Sequence, residues 1–228
     1  MVICMINVID ITVGIHEGMT TYPGVNKYAD FPILEYLITP ETDAPGKNKY
    51  SGKVTMHNHC GTHIDTPKHF GMKSDLSDID VNVVCGPAVV IKMMDLKTGG
   101  VTPEMLEEKL PKGVETKGKR LIVVCGYLDD NWNKPGYFEN APFFTPEAAQ
   151  WVIDKGFVLL ALDMQTDDFR VSPTHRTLLS AGVYILEYIS NVYAIPDKPE
   201  VFLITAPLKL EHMEASSTRA YIIDGIIS

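Results

Sequence analysis

No apolar run in the 228-residue sequence approaches the length of a membrane-spanning helix, which excludes an integral membrane protein of the helical kind. Basic character is scarce as well. Lys and Arg total 20 against 29 Asp and Glu, the formal net charge is −9, and no Lys/Arg run forms a phosphate-binding stripe. Nucleic acid is therefore excluded as a partner. Cysteine is sparse: Cys4, Cys60, Cys85 and Cys125 are scattered and form no CxxC pair. Such isolated cysteines read as reduced, mostly buried thiols, and the cytoplasm is the expected compartment. Repeats and low-complexity segments are absent. The apolar opening, Met1 to Ile9, lacks a basic flank and a small-residue cleavage site and is broken by Asp10, so a first strand is expected there rather than a signal peptide.

What remains is a globular composition, 45% apolar and 21% charged, of a length that suits one domain spanning 1–228. Short Val/Ile/Leu-rich runs bounded by Gly, Pro or Asp predict strands at Ile6–Thr12, Ala88–Met93, Leu121–Cys125, Phe157–Leu162, Val201–Ile204 and Tyr221–Ile223. Thr102-Pro103 and Thr145-Pro146 each supply an N-cap followed by Pro at the first helical position. They predict helices running to about Leu110 and to Gly156. A shorter helix is expected from Ser172-Pro173 to just before Gly182. Interleaved strands and helices predict an α/β or α+β domain with a mixed sheet. Thr39–Gly52 and Asp129–Phe144 read as loops. The second carries Trp132, Tyr137, Phe138, Phe143 and Phe144, which fits a lid or subunit contact as well as it fits a surface loop with its own apolar cluster. The acidic residues Asp75, Asp78 and Asp80 lack calcium-loop spacing and read as a solvated loop. Asp167-Asp168 reads as a turn, and His16 and His212 as lone residues.

Histidine is concentrated. Four of the seven, His57, His59, His63 and His69, fall within thirteen residues, where the chain average would place about 0.4. Gly61, Thr62, Ile64 and Pro67 make this a poor helix. On an extended chain, residues separated by even numbers share a face, so His59, His63, Asp65 and His69 can point the same way. His63 and Asp65 would lie roughly 6.6 Å apart, close enough to share one ion. His59, roughly 13 Å from His63 when extended, reaches the same ion only if the chain bends, and Gly61 is placed to allow it. Pro67 can turn the chain again before His69. Two imidazoles and a carboxylate suit Zn, Mn or Fe and leave a coordination position open for water. His69, titrating near neutrality, is the candidate acid/base. Nothing requires His57 as a further ligand, so a structural role is expected for it.

The run His59-Cys60-Gly61-Thr62-His63-Ile64-Asp65-Thr66-Pro67-Lys68-His69-Phe70 resembles the H-x-G-T-H-x-D-x-P-x-H-F pattern of the cyclase-like metal-dependent hydrolases, which include bacterial kynurenine formamidase (arylformamidase) and isatin hydrolase. Asp10-Ile11-Thr12 resembles that family's opening strand and Tyr22-Pro23-Gly24 its aromatic-Pro-Gly turn. Leu121–Tyr127, Leu162-Asp163, His175–Glu187 and Arg219-Ala220 are similar to its later segments. The resemblance covers most of the chain and is loosest over 35–55 and 93–119. It implies a compact β/β/α fold with one metal held by His59, His63 and Asp65. A second ion would be bridged by Asp65 and Glu187 and bound by His175. His69 would be the proton donor and acceptor. Zn²⁺, one ion or two, is the implied cofactor, with Mn²⁺ the other candidate, and a homodimer or homotetramer the implied assembly. Taken alone, His175 and Glu187 would read as surface residues. Their local pattern agrees with the resemblance all the same. A helix opened by Ser172-Pro173 puts His175 in its first turn, and Val183–Glu187 reads as a strand with Glu187 at its C-terminal end.

Two departures stand out. Formamidase members carry Trp in the aromatic-Pro-Gly turn, where it contacts substrate; here the residue is Tyr22, which changes the pocket. Cys60 occupies a position where small residues are common, and by parity it points away from the metal face into packing. The implied reaction is hydrolysis of an amide C–N bond in a small aromatic or cyclic amide by metal-activated water, with Tyr22 and Phe70 shaping an apolar substrate pocket. A lactone hydrolase or cyclase using the same site, and a non-catalytic metal-binding oligomer, are the alternatives at this stage.

Overall fold

Parallel strands buried on both faces need apolar sequence, and Arg120–Val124, Leu159–Leu162 and Tyr184–Glu187 supply it apart from the terminal Arg120 and Glu187: every residue in them is buried. The computed structural model describes residues 6–23, 33–39, 49–169 and 173–225. In chain order the strands are β1 (Asn7–Asp10), β2 (Ile33–Thr39), β3 (Lys49–Thr55), β4 (His63–Asp65), β5 (Cys85–Lys92), β6 (Gly100–Val101), β7 (Arg120–Val124), β8 (Phe143–Phe144), β9 (Leu159–Leu162), β10 (Tyr184–Glu187), β11 (Glu200–Pro207) and β12 (Ala215–Asp224). The helices are α1 (Val81–Val84), α2 (Pro103–Lys109), α3 (Tyr127–Asn131), α4 (Tyr137–Asn140), α5 (Pro146–Asp154) and α6 (Pro173–Ser180).

One sheet runs β1-β12-β11-β5-β7-β9-β10-β4, and β4 pairs back onto β12. The seven strands from β12 to β4 therefore close into a barrel, with β1 attached outside on β12. Pairing is parallel through β5, β7, β9 and β10 and antiparallel elsewhere, which is the mixed sheet expected. The closure was not expected. It depends on β4, only three residues long, whose Asp65 lies opposite Ile185 on one side and Ala215 on the other.

Alternation along the central strands divides the core. Ile122, Val124, Leu159, Ala161, Ile64 and Leu203 pack together in the barrel interior. Leu121, Val123, Leu160 and Leu162 face the other way, onto Leu106 of α2, Ala148 and Val152 of α5 and Leu178 of α6. The α2 and α5 caps form as predicted. Thr102 accepts from the Met105 N–H and Thr145 from the Ala148 N–H, each followed by Pro. The helix expected near Ser172-Pro173 is α6; Ser172 itself lies outside the described residues, as do Cys4 and Gly24.

Several expectations need correction. Thr39 ends β2 and Lys49–Gly52 belong to β3, so the flanks of the expected Thr39–Gly52 loop are an antiparallel hairpin; residues 40–48 lie outside the described set. Apolar spacing in Ile33–Thr39 breaks strict alternation, which hid the strand. Asp129–Phe144 is not a plain loop either. The end of α3, all of α4 and β8 occupy it, and Tyr137, Phe138 and Phe144 are buried in the main core. The acidic run is not simply solvated: Asp75 is buried and caps a 3₁₀ turn at Leu76–Asp78, and Asp80 caps α1. His212 is not alone, because its N–H donates to Asp75 Oδ2 at 2.9 Å. His16 likewise has a partner, its Nδ1 lying 2.9 Å from the Glu17 carbonyl. Among the described cysteines, Cys60 and Cys125 are buried free thiols and Cys85 is exposed.

Candidate metal centre

The histidine segment converges through two bends and one short strand rather than along a single extended face. Residues 57–62 form a turn, with the Cys60 N–H donating to His57 O at 3.1 Å. Gly61 sits at φ +61°, a conformation L side chains rarely adopt, so the predicted bend falls at the predicted residue. Thr62 pins it: its hydroxyl donates to Tyr188 O at 2.6 Å and accepts from Val13 N–H at 2.9 Å. In β4 the strand period holds, with Ile64 in the barrel core and His63 and Asp65 on the opposite face. Pro67 then opens a 3₁₀ turn, Pro67–Phe70, that swings His69 back toward His59, ring centroids 4.6 Å apart.

Register brings in the second segment. Glu187, the last residue of β10, lies directly opposite His63, and Glu187 Oε2 is 3.3 Å from His63 Nε2. From the first turn of α6, His175 Nε2 reaches Glu187 Oε1 at 3.2 Å and Asp65 Oδ2 at 3.6 Å. His59 Nδ1 is 3.1 Å from Asp65 Oδ1. Three overlapping sets result, with the candidate ligand atoms in each within 4.8 Å of one another: His59/His63/Asp65 and Asp65/His175/Glu187, which share Asp65, and His59/His69/Glu214. His63 and Asp65 are 0% exposed. His63 Nε2 and both Asp65 carboxylate oxygens are buried yet make no hydrogen bond of acceptable geometry. Burying such atoms without a well-formed hydrogen bond is costly, and a divalent cation is a partner that an imidazole nitrogen and two carboxylate oxygens can share.

The other nitrogen of each imidazole is held. His63 Nδ1 lies 2.8 Å from Gly61 O. His175 Nδ1 pairs with Asp167 Oδ2. His59 Nε2 lies 3.5 Å from Glu214 Oε1, which also accepts from Asn58 Nδ2 at 2.7 Å. The Glu187 carboxylate accepts from the Thr166 hydroxyl. Asp167, Glu214 and Thr166 were missed by sequence reasoning, and Asp167 is corrected from a turn residue to a buried partner of His175. No sequence signal marks them, because each acts through a contact made only in the folded chain. His57, set aside as structural, lines the same cavity with its ring 5.2 Å from that of His59.

Charge is distributed to match. Burial would raise the Asp65 carboxyl, but the charges of His59 and His63 hold it well below the usual carboxylate range. Glu187 is also lowered, against the effect of burial, by His175 and His63. Burial would lower His59, yet Asp65 raises it to about 10. His175 is raised well above its ordinary value because Glu187, Asp167 and Asp65 outweigh its desolvation. His69 goes the other way: the cavity walls desolvate it and its pKa is lowered. A cavity of ≈ 340 Å³ opens over the cluster, walled by Tyr22, His69, Phe70 and Phe169. The Tyr22 ring stands edge-on to Phe138 and Phe169, with centroids at 5.3 and 5.9 Å. Cys60 faces away, 2% exposed, its Sγ 3.5 Å from Met19 Sδ.

A buried cluster of imidazoles and carboxylates under a small cavity, on a closed mixed barrel, defines a hydrolase architecture, and the comparisons agree. The family model described as "Putative cyclase" matches residues 9–168, and the chain belongs to that family. Kynurenine formamidase of Bacillus cytotoxicus is 31% identical over 221 residues, 94% of this chain and 96% of that protein. Kynurenine formamidase of Geobacillus thermodenitrificans is 29% identical over 216 residues, 93% and 95% of the two chains. Among solved structures, an isatin hydrolase bound to the product analogue thioisatinate superposes with TM-score 0.80 at 21% identity, covering 96% of this chain and 93% of that one. A predicted metal-dependent hydrolase from Bacillus stearothermophilus gives TM-score 0.74 at 22% identity, with 96% and 99% covered. The chain is thus an enzyme of the amidohydrolase kind with the cyclase-family fold. No helix among the described residues is long and apolar enough to cross a membrane.

Proposed function

We propose that this chain is a metal-dependent amidohydrolase that cleaves the C–N bond of a small aromatic or cyclic amide, in the manner of an arylformamidase. The observation that carries the reading is a set of buried atoms without a well-formed hydrogen bond, His63 Nε2 and both Asp65 oxygens, crowded against His59, His175 and Glu187. His59, His63 and Asp65 would hold one divalent ion, and Asp65, His175 and Glu187 a second, with zinc favoured by the two imidazoles of the first set and manganese the other candidate. When bound, such an ion acidifies water and polarises a carbonyl.

The remaining work falls to the chain. His69 stands at the cavity edge, and its lowered pKa keeps it neutral at pH 7, so it can take a proton from water attacking the carbonyl. The protonated ring can then deliver that proton to the leaving nitrogen. Tyr22 and Phe70 offer ring faces that would bind a flat substrate and exclude water. The exposed ring of Tyr22 is smaller than the Trp that the motif's resemblance to formamidases leads one to expect, which suits cyclic amides as well as N-formyl aromatic amines. Metal analysis of the purified protein, with turnover of N-formyl aromatic amines, isatin-like lactams and lactones before and after chelation, tests the reading. Stoichiometric zinc or manganese and amide cleavage abolished by the chelator are expected. Full activity after complete metal removal, or turnover of lactones alone, would overturn it. A homodimer or homotetramer is the proposed assembly, to be checked by light scattering.

A further inference from the structure

We propose that Asp167 is the positioning residue of the centre: it fixes the proton of His175 on Nδ1 and so presents Nε2, as an electron-pair donor, to the position between Asp65 and Glu187. The inference rests on the metal-centre reading above and adds to it a residue outside both ligand sets. Asp167 is buried, 8% exposed, and its two oxygens do different things. Oδ1 accepts the Thr174 N–H at 2.7 Å and lies 3.4 Å from the His175 N, so it caps the first turn of α6. Oδ2 pairs with Nδ1 of the His175 ring. A carboxylate can only accept, so Nδ1 must carry a hydrogen. Nε2 is then the nitrogen left to bind an ion, and it is the one 3.2 Å from Glu187 and 3.6 Å from Asp65. One side chain therefore sets the helix start, the ring plane and the ring's donor pattern together, the arrangement by which carboxylate–histidine pairs raise metal affinity.

The same geometry supplies a clean test. Asp167→Asn is nearly isosteric and has one acceptor and one donor group. The backbone N–H groups of α6 cannot change role, so the amide oxygen stays on them and the NH₂ turns to the ring. Nδ1 must then accept, the ring hydrogen moves to Nε2, and the lone pair that faced Asp65 and Glu187 is lost. Asp167→Ala removes the cap and the ring contact together. Zinc affinity of the full-length protein, measured by competition with a chromophoric chelator, is the readout, with thermal unfolding of the metal-free forms alongside. The expected result is a loss of zinc affinity of roughly 10–100-fold at one of two sites for both variants, on top of the fall in metal-free melting temperature that loss of the buried His175 pair brings. Wild-type zinc affinity in Asp167→Asn would overturn the assignment. So would losses of melting temperature in both variants without any change in zinc affinity, which is the signature of a cap and nothing more. A wild-type protein that takes up no zinc or manganese would instead sink the metal-centre reading itself.

Discussion

At the scale of single residues, chemistry and binding should separate. His69 is exposed to the cavity and belongs to neither buried ligand set around Asp65, so removing it should leave those sets intact. His69→Ala should lower kcat by roughly 10²–10⁴-fold, the ordinary contribution of a general acid/base, with zinc content unchanged. Loss of zinc together with activity would instead identify it as a ligand beside Glu214 and His59, with which it forms a further candidate set. Tyr22 makes a different prediction. Its ring leans on Phe138 and Phe169 and opens onto the cavity over the charged cluster. Tyr22→Ala should raise KM several-fold with kcat nearly constant, because a substrate-facing wall contributes equally to ground state and transition state. A fall in kcat alone would assign the hydroxyl a part in the reaction. Here the sequence is readable in uneven fashion. The ligand candidates announce themselves through histidine density and spacing, whereas Asp167 and Glu214 are ordinary acidic residues until the fold sets them against imidazoles.

At the scale of elements, the site depends on how strand ends are held. Asp163, just beyond β9, is fully buried and accepts the N–H groups of Cys125 and Gly126 at 2.8 and 2.6 Å. It thereby fixes the turn from β7 into α3. Its pKa is raised to about 6 by burial, against the lowering effect of those two donors. Asp163→Ala would leave two buried N–H groups without an acceptor, each costing about 1–3 kcal/mol. Thermal unfolding should show the loss as a drop of about 2–4 °C per kcal/mol for a chain of this size. An unchanged melting temperature would mean that water takes over both bonds. The elements themselves were legible where local physics dominates. Thr-Pro caps located α2 and α5, and the unbroken apolar runs located β7 and β9. The β2–β3 hairpin was not legible, since neither strand alternates strictly. The single-turn helices α3 and α4 were hidden by Pro, Gly and Asn in a segment whose aromatics, Tyr137 and Phe138, are in fact core.

At the scale of the whole molecule, the unreadable feature is closure. β4 joins β10 and β12 across about 120 and 150 residues of chain, and a three-residue strand carries no pattern that names its partners. That closure also places the ligand sets where an ion would tie together residues 59 to 187, so loading should stabilise the entire fold. Free zinc at a thousandfold over its Kd adds about 4 kcal/mol by mass action alone. The gain should depend on pH in a definite direction. In the metal-free protein, Asp65 raises His59 from 6.5 to about 10, so the protonated ring stabilises the fold fully below pH 6.5. That contribution is lost as pH rises toward 10. An ion needs the neutral ring and expels the proton, so the loaded protein does not suffer this loss. The difference in melting temperature between loaded and metal-free protein should therefore widen from pH 6.5 to 8.5. Calorimetric titration in buffers of different ionisation enthalpy should register proton release on zinc uptake near neutral pH. A stabilisation that stays constant over that range, with no proton released, would mean that His59 is neutral before the ion arrives and that Asp65 exerts far less field on it than their 3.1 Å separation requires.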